Sequence, residues 1–256
     1  MTPFRARKTL VPTCAAACAL LLLAALAGCR QEEPQQRWSE AVLPRLSLRA
    51  RVAQLVIPAA DAGGGGTAAR RWVAVDSVGG VLLRGGPART TAAGLAALRG
   101  AAPLPLLAVA ELDGGAGGLA PEATDLPPVR VLAARGLADE AREAGALAGA
   151  EARAVGVDLA LVTLPEIGAE APAGLPRPDP AAAGEAAAAY LEALRGEGVL
   201  PAVRLLPPRR SAADTLPLPV LRWDRARLEA VELPVVRAAL GAGADAATLP
   251  FLALPA

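Results

Sequence analysis

The chain has 256 residues, 54% of them hydrophobic and only 2% aromatic, with 26 basic and 25 acidic side chains and no histidine. The missing imidazole excludes Ser-His-Asp and Cys-His triads, His-ligated zinc and imidazole proton shuttles. A formal charge of +1 argues against electrostatic capture of nucleic acid. With so few aromatics, the core must be built from Ala, Val and Leu.

In chain order, Arg5, Arg7 and Lys8 form a positive start that leads into an apolar run over 11–26. This run is shorter than the roughly 20 residues of a membrane span, and it ends in small residues as a secretory signal does. Leu26-Ala27-Gly28-Cys29 resembles the lipobox of bacterial lipoproteins. The resemblance implies cleavage before Cys29, a lipid on its sulfur and membrane attachment, at the periplasmic side of the outer membrane in a two-membraned cell. Residues 1–28 therefore read as signal peptide and 29–45 as lipidated cysteine plus a polar tether. Cys14 and Cys18 leave with the signal, so the mature chain has no thiol for disulfide, catalysis or metal.

From Ser47 onward, near-continuous apolar runs alternate with helical patterns. The runs at 54–58, 78–83, 104–110, 157–164, 200–206 and 244–249 read as parallel strands buried on both faces. Helices are expected from Ser47 to Ala53, over 90–99 and 137–154, from an Asp179-Pro180 start to Arg195, and from an Asp224 cap to Leu240 with a kink at Pro234. Repeated βα units give an α/β fold. Gly63–Gly66 lacks the Gly-Lys-Ser/Thr of a phosphate loop and reads as a surface loop. Gly115–Ala120 matches a dinucleotide fingerprint formally, but the prolines that follow do not open the helix a pyrophosphate needs.

The order of segments resembles the N-terminal barrel of glycoside hydrolase family 3, and within it the bacterial β-N-acetylhexosaminidases. The similarity runs over 46–256. Its pieces are Leu46–Leu55 (first helix and strand), Val78-Gly79-Gly80-Val81-Leu82-Leu83 (second strand), and Pro105–Gly115 (third strand with the Asp-x-Glu-Gly-Gly motif). They continue with Glu151–Ile167 around strand four and Glu232–Ala246 around strand six. The resemblance implies a (β/α)8 barrel with its site at the C-terminal strand ends, and retaining hydrolysis of a β-glycoside through a glycosyl–aspartate intermediate. No cofactor and no metal are expected; a glycan or peptidoglycan fragment is the expected partner.

Several positions depart from the family pattern. Asp-x-Glu-Gly-Gly-Arg is here Glu111-Leu112-Asp113-Gly114-Gly115-Ala116, with the acids exchanged and the arginine lost. The sugar-gripping Lys-His pair reads Arg204-Leu205, and Phe-Pro-Gly-His-Gly reads Leu206-Pro207-Pro208-Arg209-Arg210. The Asp-Ser-His loop that supplies the general acid/base reads Asp214-Thr215-Leu216. Leucine cannot transfer a proton, so Asp214 is a degenerate remnant and no catalytic residue is assigned. The segment bearing the family's nucleophilic aspartate would follow Ala256, so about six βα units are expected, an incomplete barrel with two sheet edges.

Glu111 and Asp113 are candidate sugar ligands, or a solvated acidic pair. Arg204 either replaces the lysine as a hydroxyl donor or forms a salt bridge to one of them. Trp72 and Trp223 either stack on sugar rings or, in their ordinary role, pack in the core, where Tyr190 is expected; Arg209-Arg210 either meet anionic glycan or lipid headgroups or are simply solvated. Oligomeric state is not legible. Three functions follow: a catalytically impaired, membrane-anchored glycan-binding or scaffold lipoprotein; an active glycosidase completed by further sequence; or a non-functional relic. The first is carried forward.

Overall fold

The computed structural model describes residues 34–61, 66–164, 179–204 and 224–249. The chain divides into two compact units, Met1–Leu48 and Arg49–Ala256. In the first, Pro34–Val42 form helix α1 and Leu43–Arg45 a 3-10 turn. The polar segment expected to be a tether is thus helical from Pro34, a favoured residue at a helix start.

In the second unit the elements alternate: α2 (Leu48–Ala53, which begins one residue earlier), β1 (Ala59–Asp61), α3 (Thr67–Ala74), β2 (Gly80–Arg84), α4 (Ala88–Ala101) and β3 (Leu107–Glu111). Helices α5 (Val129–Ala134) and α6 (Ala138–Val155) follow, then β4 (Leu159–Thr163), α7 (Pro180–Gly196) and β5 (Leu200–Arg204). The described part ends with α8 (Arg225–Arg227), a π turn at Leu228–Glu232, α9 (Leu233–Gly241) and β6 (Ala246–Thr248). All six strands are parallel and pair in sequence order, β1-β2-β3-β4-β5-β6. This is the α/β class read from the sequence, with six βα units of a barrel-like array. No helix among the described residues is long and apolar enough to cross a membrane.

Successive strand residues face opposite sides of a sheet. Ala60, Val81, Leu83, Ala108, Ala110, Ala160, Val162 and Val203 belong to the core under the helices. Leu82, Leu107, Leu159 and Leu161 lie on the other face and stay partly exposed. The core is aromatic-poor, as the composition dictates, and small residues let helices approach closely. A Cβ on Gly145 of α6 would stand 2.4 Å from the Tyr190 carbonyl oxygen of α7. Tyr190 is fully buried, and Trp72 packs against the core from its edge.

Cap chemistry follows the sequence. Asp179 accepts from the N–H groups of Ala181 and Ala182, each at 3.0 Å. Asp224 accepts from the Arg227 N–H at 2.7 Å. Helix α6 ends on Gly156, whose φ of +102° suits the left-handed residue that terminates a helix.

Three expectations are corrected. The first strand lies at Ala59–Asp61, not over 54–58. The N–H groups of Gln54, Leu55 and Val56 bond to Ala50, Val52 and Ala53 carbonyls, so helical turns consume this apolar run and leave Leu55 84% exposed. The Asp224 helix runs from its cap to Gly241 as expected, but not as a regular α-helix: Pro234 has no N–H and crowds the carbonyl four residues before it, and a widened π turn at Leu228–Glu232 accommodates both. Helices α3 and α5 were not expected at all. Ala69 and Val73, four apart and both buried, are the periodic signal for α3.

Candidate functional site

The strands end in Asp61, Arg84, Glu111, Thr163, Arg204 and Thr248. In a parallel βα array this edge gathers the loops that carry chemistry.

Two carboxylates near the end of β3 have different surroundings. The Arg204 guanidinium donates to Glu111, so an ion pair reaches from β5 to β3 across the end of β4. The Glu111 side chain is 54% exposed and that of Arg204 32%, so the pair is open to solvent. A pair in that setting contributes about 0–1 kcal/mol, little enough for a ligand to displace. Arg204 thus adopts the salt bridge that was one of its two sequence readings.

Asp113, two residues on, is committed elsewhere. One carboxylate oxygen accepts the backbone N–H of Thr163 at 2.5 Å and the other its hydroxyl at 2.7 Å. The Asp113 carbonyl accepts from the Val129 N–H at 3.1 Å. Asp113 is therefore a bracket between the loop after β3 and the end of β4, not a free acid beside Glu111. Beneath it the Tyr190 hydroxyl donates to the Leu112 carbonyl at 2.8 Å. Burial, and secondarily the Asp113 charge, push the Tyr190 phenol far above its ordinary range. Gly115, with φ at +81°, turns the chain in a conformation that a side chain would strain.

A cavity of about 380 Å³ opens beside Glu111 at the ends of β2 and β3. Leu82, Leu83, Arg84, Gly85, Glu111, Gly118 and Leu119 line it. Its size lies within the range of small-ligand sites, and its charged side chains all come from strand ends. A second hollow, of about 450 Å³, lies at the opposite end of the strands, between Arg99, Pro105, Leu106, Leu107 and Asp158. There Asp158 already accepts from Arg99 at 2.6 Å and from the Ala108 N–H at 2.8 Å, a strut between α4, β3 and β4.

Glu111 and Arg204 are thus brought together and Asp113 is turned to Thr163. Asp214 and the lipidation residue Cys29 lie outside the described residues, as do Leu205, Arg209, Arg210, Leu216 and Trp223. Sequence reasoning missed Thr163 and Arg84; position at a strand's last residue was the signal that could have found both. Among the described residues no group of three or more His, Cys, Asp or Glu could hold a metal. Chemically, the rim offers a hydrogen-bond acceptor beside a donor, both solvent-accessible.

Residues 47–255 match the sequence model described as "Glycosyl hydrolase family 3 N terminal domain". A β-N-acetylglucosaminidase/β-glucosidase of Cellulomonas fimi is 30% identical over 191 residues, which are 70% of this chain and 33% of that protein. The chain thus spans about a third of that relative's length. Among solved structures, a family 3 β-N-acetylglucosaminidase from Paenibacillus sp. str. FPU-7 superposes with a TM-score of 0.65 at 23% identity, over 82% of this chain and 43% of its own. A β-N-acetylhexosaminidase from Beutenbergia cavernae gives 0.65 at 23%, over 82% and 68%. NagZ from Neisseria gonorrhoeae, in complex with N-trifluoroacetyl-D-glucosamine, gives 0.64 at 19%, over 78% and 63%. At these identities the structural likeness speaks for the fold.

Proposed function

The chain belongs to glycosyl hydrolase family 3 through that family's N-terminal domain, and from this premise we propose that it is a glycan-binding member with impaired hydrolysis. The observation that carries the reading is the exposed Glu111–Arg204 pair beside the cavity at the strand ends. A sugar hydroxyl can donate to the Glu111 carboxylate while a neighbouring sugar oxygen accepts from the Arg204 guanidinium. Charged partners make the stronger hydrogen bonds, and the weak ion pair that they replace costs little. N-Acetylglucosamine-containing glycans are the substrate class, because enzymes with that specificity in their names recur among its relatives.

Impairment rests on the residues at the positions of the family's catalytic groups. Leu205 follows Arg204 and Leu216 follows Asp214-Thr215, where the pattern carries histidines; the chain has no histidine. Without a proton donor at the leaving oxygen, glycosidic cleavage loses its general acid.

Two measurements on the purified chain test the reading. With an aryl β-N-acetylglucosaminide, chromophore release is expected to stay at the buffer blank; turnover above it refutes impairment. Millimolar N-acetylglucosamine or muropeptide is expected to raise the melting temperature, since a ligand of the folded state must stabilise it. An unchanged melting temperature with both refutes binding.

We further infer that Cys29 carries a lipid that holds the protein at a membrane, at the periplasmic side of the outer membrane if the cell has two. The Leu26-Ala27-Gly28-Cys29 motif after an apolar run supports this. Metabolic labelling with a radioactive fatty acid is expected to mark the native protein and not Cys29→Ala. Equal labelling of both refutes it.

A further inference from the structure

Asp61 and Arg84, the last residues of β1 and β2, stand opposite each other in register. Both are exposed, and among the described residues the side chain of neither takes part in a hydrogen bond or an ion pair. Their chain neighbours Ala60 and Leu83 are buried in the core under the helices. Paired residues of adjacent strands project to the same side, so Asp61 and Arg84 both face the open side of the sheet. Glu111 faces it too, because its own neighbour Ala110 lies in that core.

The β2–β3 register pairs Leu82 with Val109, and two further residues bring Arg84 level with Glu111. Adjacent strands are about 4.8 Å apart. The strand ends therefore present a row of acceptor, donor and acceptor (Asp61, Arg84, Glu111) with Arg204 clasping its far end. The cavity runs along this row from Glu111 to Arg84 instead of stopping at Glu111. Asp61 and Arg84 cancel in charge, which disfavours an ion as ligand. Among the described residues their side-chain hydrogen-bonding groups are unspent, which suits a neutral ligand rich in hydroxyls that both donate and accept.

We propose that Asp61 and Arg84 are a second hydroxyl-reading pair, taking the next ring of an oligosaccharide whose first ring sits at Glu111 and Arg204. This rests on the glycan-binding reading above. It makes the ligand a chain of at least two sugars.

Isothermal titration of the full chain with N-acetylglucosamine and with N,N′-diacetylchitobiose tests the pair. The disaccharide is expected to bind about tenfold tighter, the worth of one or two added hydrogen bonds. Arg84→Ala and Asp61→Asn are each expected to bring the ratio of the two affinities toward one, whereas Glu111→Ala weakens both sugars. Both positions are exposed, and melting temperatures check that the variants fold; Asp61→Asn decides if Arg84→Ala does not. Equal affinities in the native chain, or a ratio that neither variant moves, overturn the second pair while leaving the glycan reading intact. Absence of binding by either sugar overturns both.

Discussion

On one face of the sheet, Ala108 and Ala110 of β3 are completely buried under helices. On the other, their chain neighbours Leu107 and Glu111 remain partly or fully exposed. The covered face succeeds through smallness: Gly145 and Gly149 of α6 let α7 come so close that a Cβ would meet Tyr190 or Glu197 within 3.0 Å. Among the described residues the open face has no such cover, and its polar strand ends keep hydrogen-bonding capacity for something else. The same division separates two acids two residues apart. Asp113 holds the β3 loop to β4, whereas Glu111 holds only an exposed arginine. An aromatic-poor chain thus gains stability by close approach on one side and keeps its chemistry on the other.

The contrast can be broken experimentally, and the largest effect is expected on the covered side. Gly145→Val puts side-chain atoms against the backbone of α7 and is expected to cost about 3 kcal/mol, the upper end for overpacking. Urea unfolding measures this; a loss below that of Asp113→Ala would show that the helix contact tolerates bulk.

Asp113→Ala is next, at about 2 kcal/mol, because it removes a charged acceptor and leaves two donors of Thr163 unmatched. Glu111→Ala, in the same experiment, is expected to change stability by less than about 0.5 kcal/mol. Equal losses from the two would erase the distinction between bracket and open acid.

Tyr190 provides a pH test, since it is the chain's single tyrosine. Its phenol is held neutral in the folded state by burial and by Asp113, while in the unfolded chain it ionises near pH 10. A group whose folded pKa is raised contributes stability that is complete below the unfolded pKa and is lost as pH rises above it. Stability should therefore fall above about pH 10, with a slope approaching 1.4 kcal/mol per pH unit that Tyr190→Phe abolishes. Tyrosinate absorbance appearing before unfolding would contradict the burial argument.

The smallest stability effect belongs to Arg204→Ala, within about 0.5 kcal/mol for an exposed ion pair. Its consequence should appear in ligand binding instead, as loss of the thermal stabilisation by N-acetylglucosamine. A variant that keeps the full ligand shift would remove Arg204 from the site.

Much of the fold was legible. Strands β4 and β5 fall inside the expected apolar runs, and β3 oversteps its run by Glu111 alone, because both faces of these strands are largely apolar, the mark of parallel strands. The Asp179-Pro180 start was readable for a local reason: a carboxylate at a cap reaches N–H groups two and three residues on. The first strand was misread because Leu55, Val56 and Ile57 are apolar without being buried, and hydropathy does not report which carbonyls a backbone will use. The π turn before Pro234 is a length adjustment that a proline announces without specifying. At the site, the position of Glu111 at a strand end followed from pattern order. Asp113's commitment to Thr163 did not, since the two lie 50 residues apart in the chain.

The sequence by itself determined the α/β alternation, the family, the excluded imidazole chemistry and the identity of the charged residues after each apolar run. These are properties of composition and of short-range periodicity, which a linear string records. Only the tertiary structure decided that Arg204 meets Glu111 across a strand, that Asp113 turns to Thr163, and that Asp61 and Arg84 share a register row without pairing. Those outcomes depend on strand register and on which sheet face the helices cover. Both are set by long-range packing of small side chains, which no local pattern encodes.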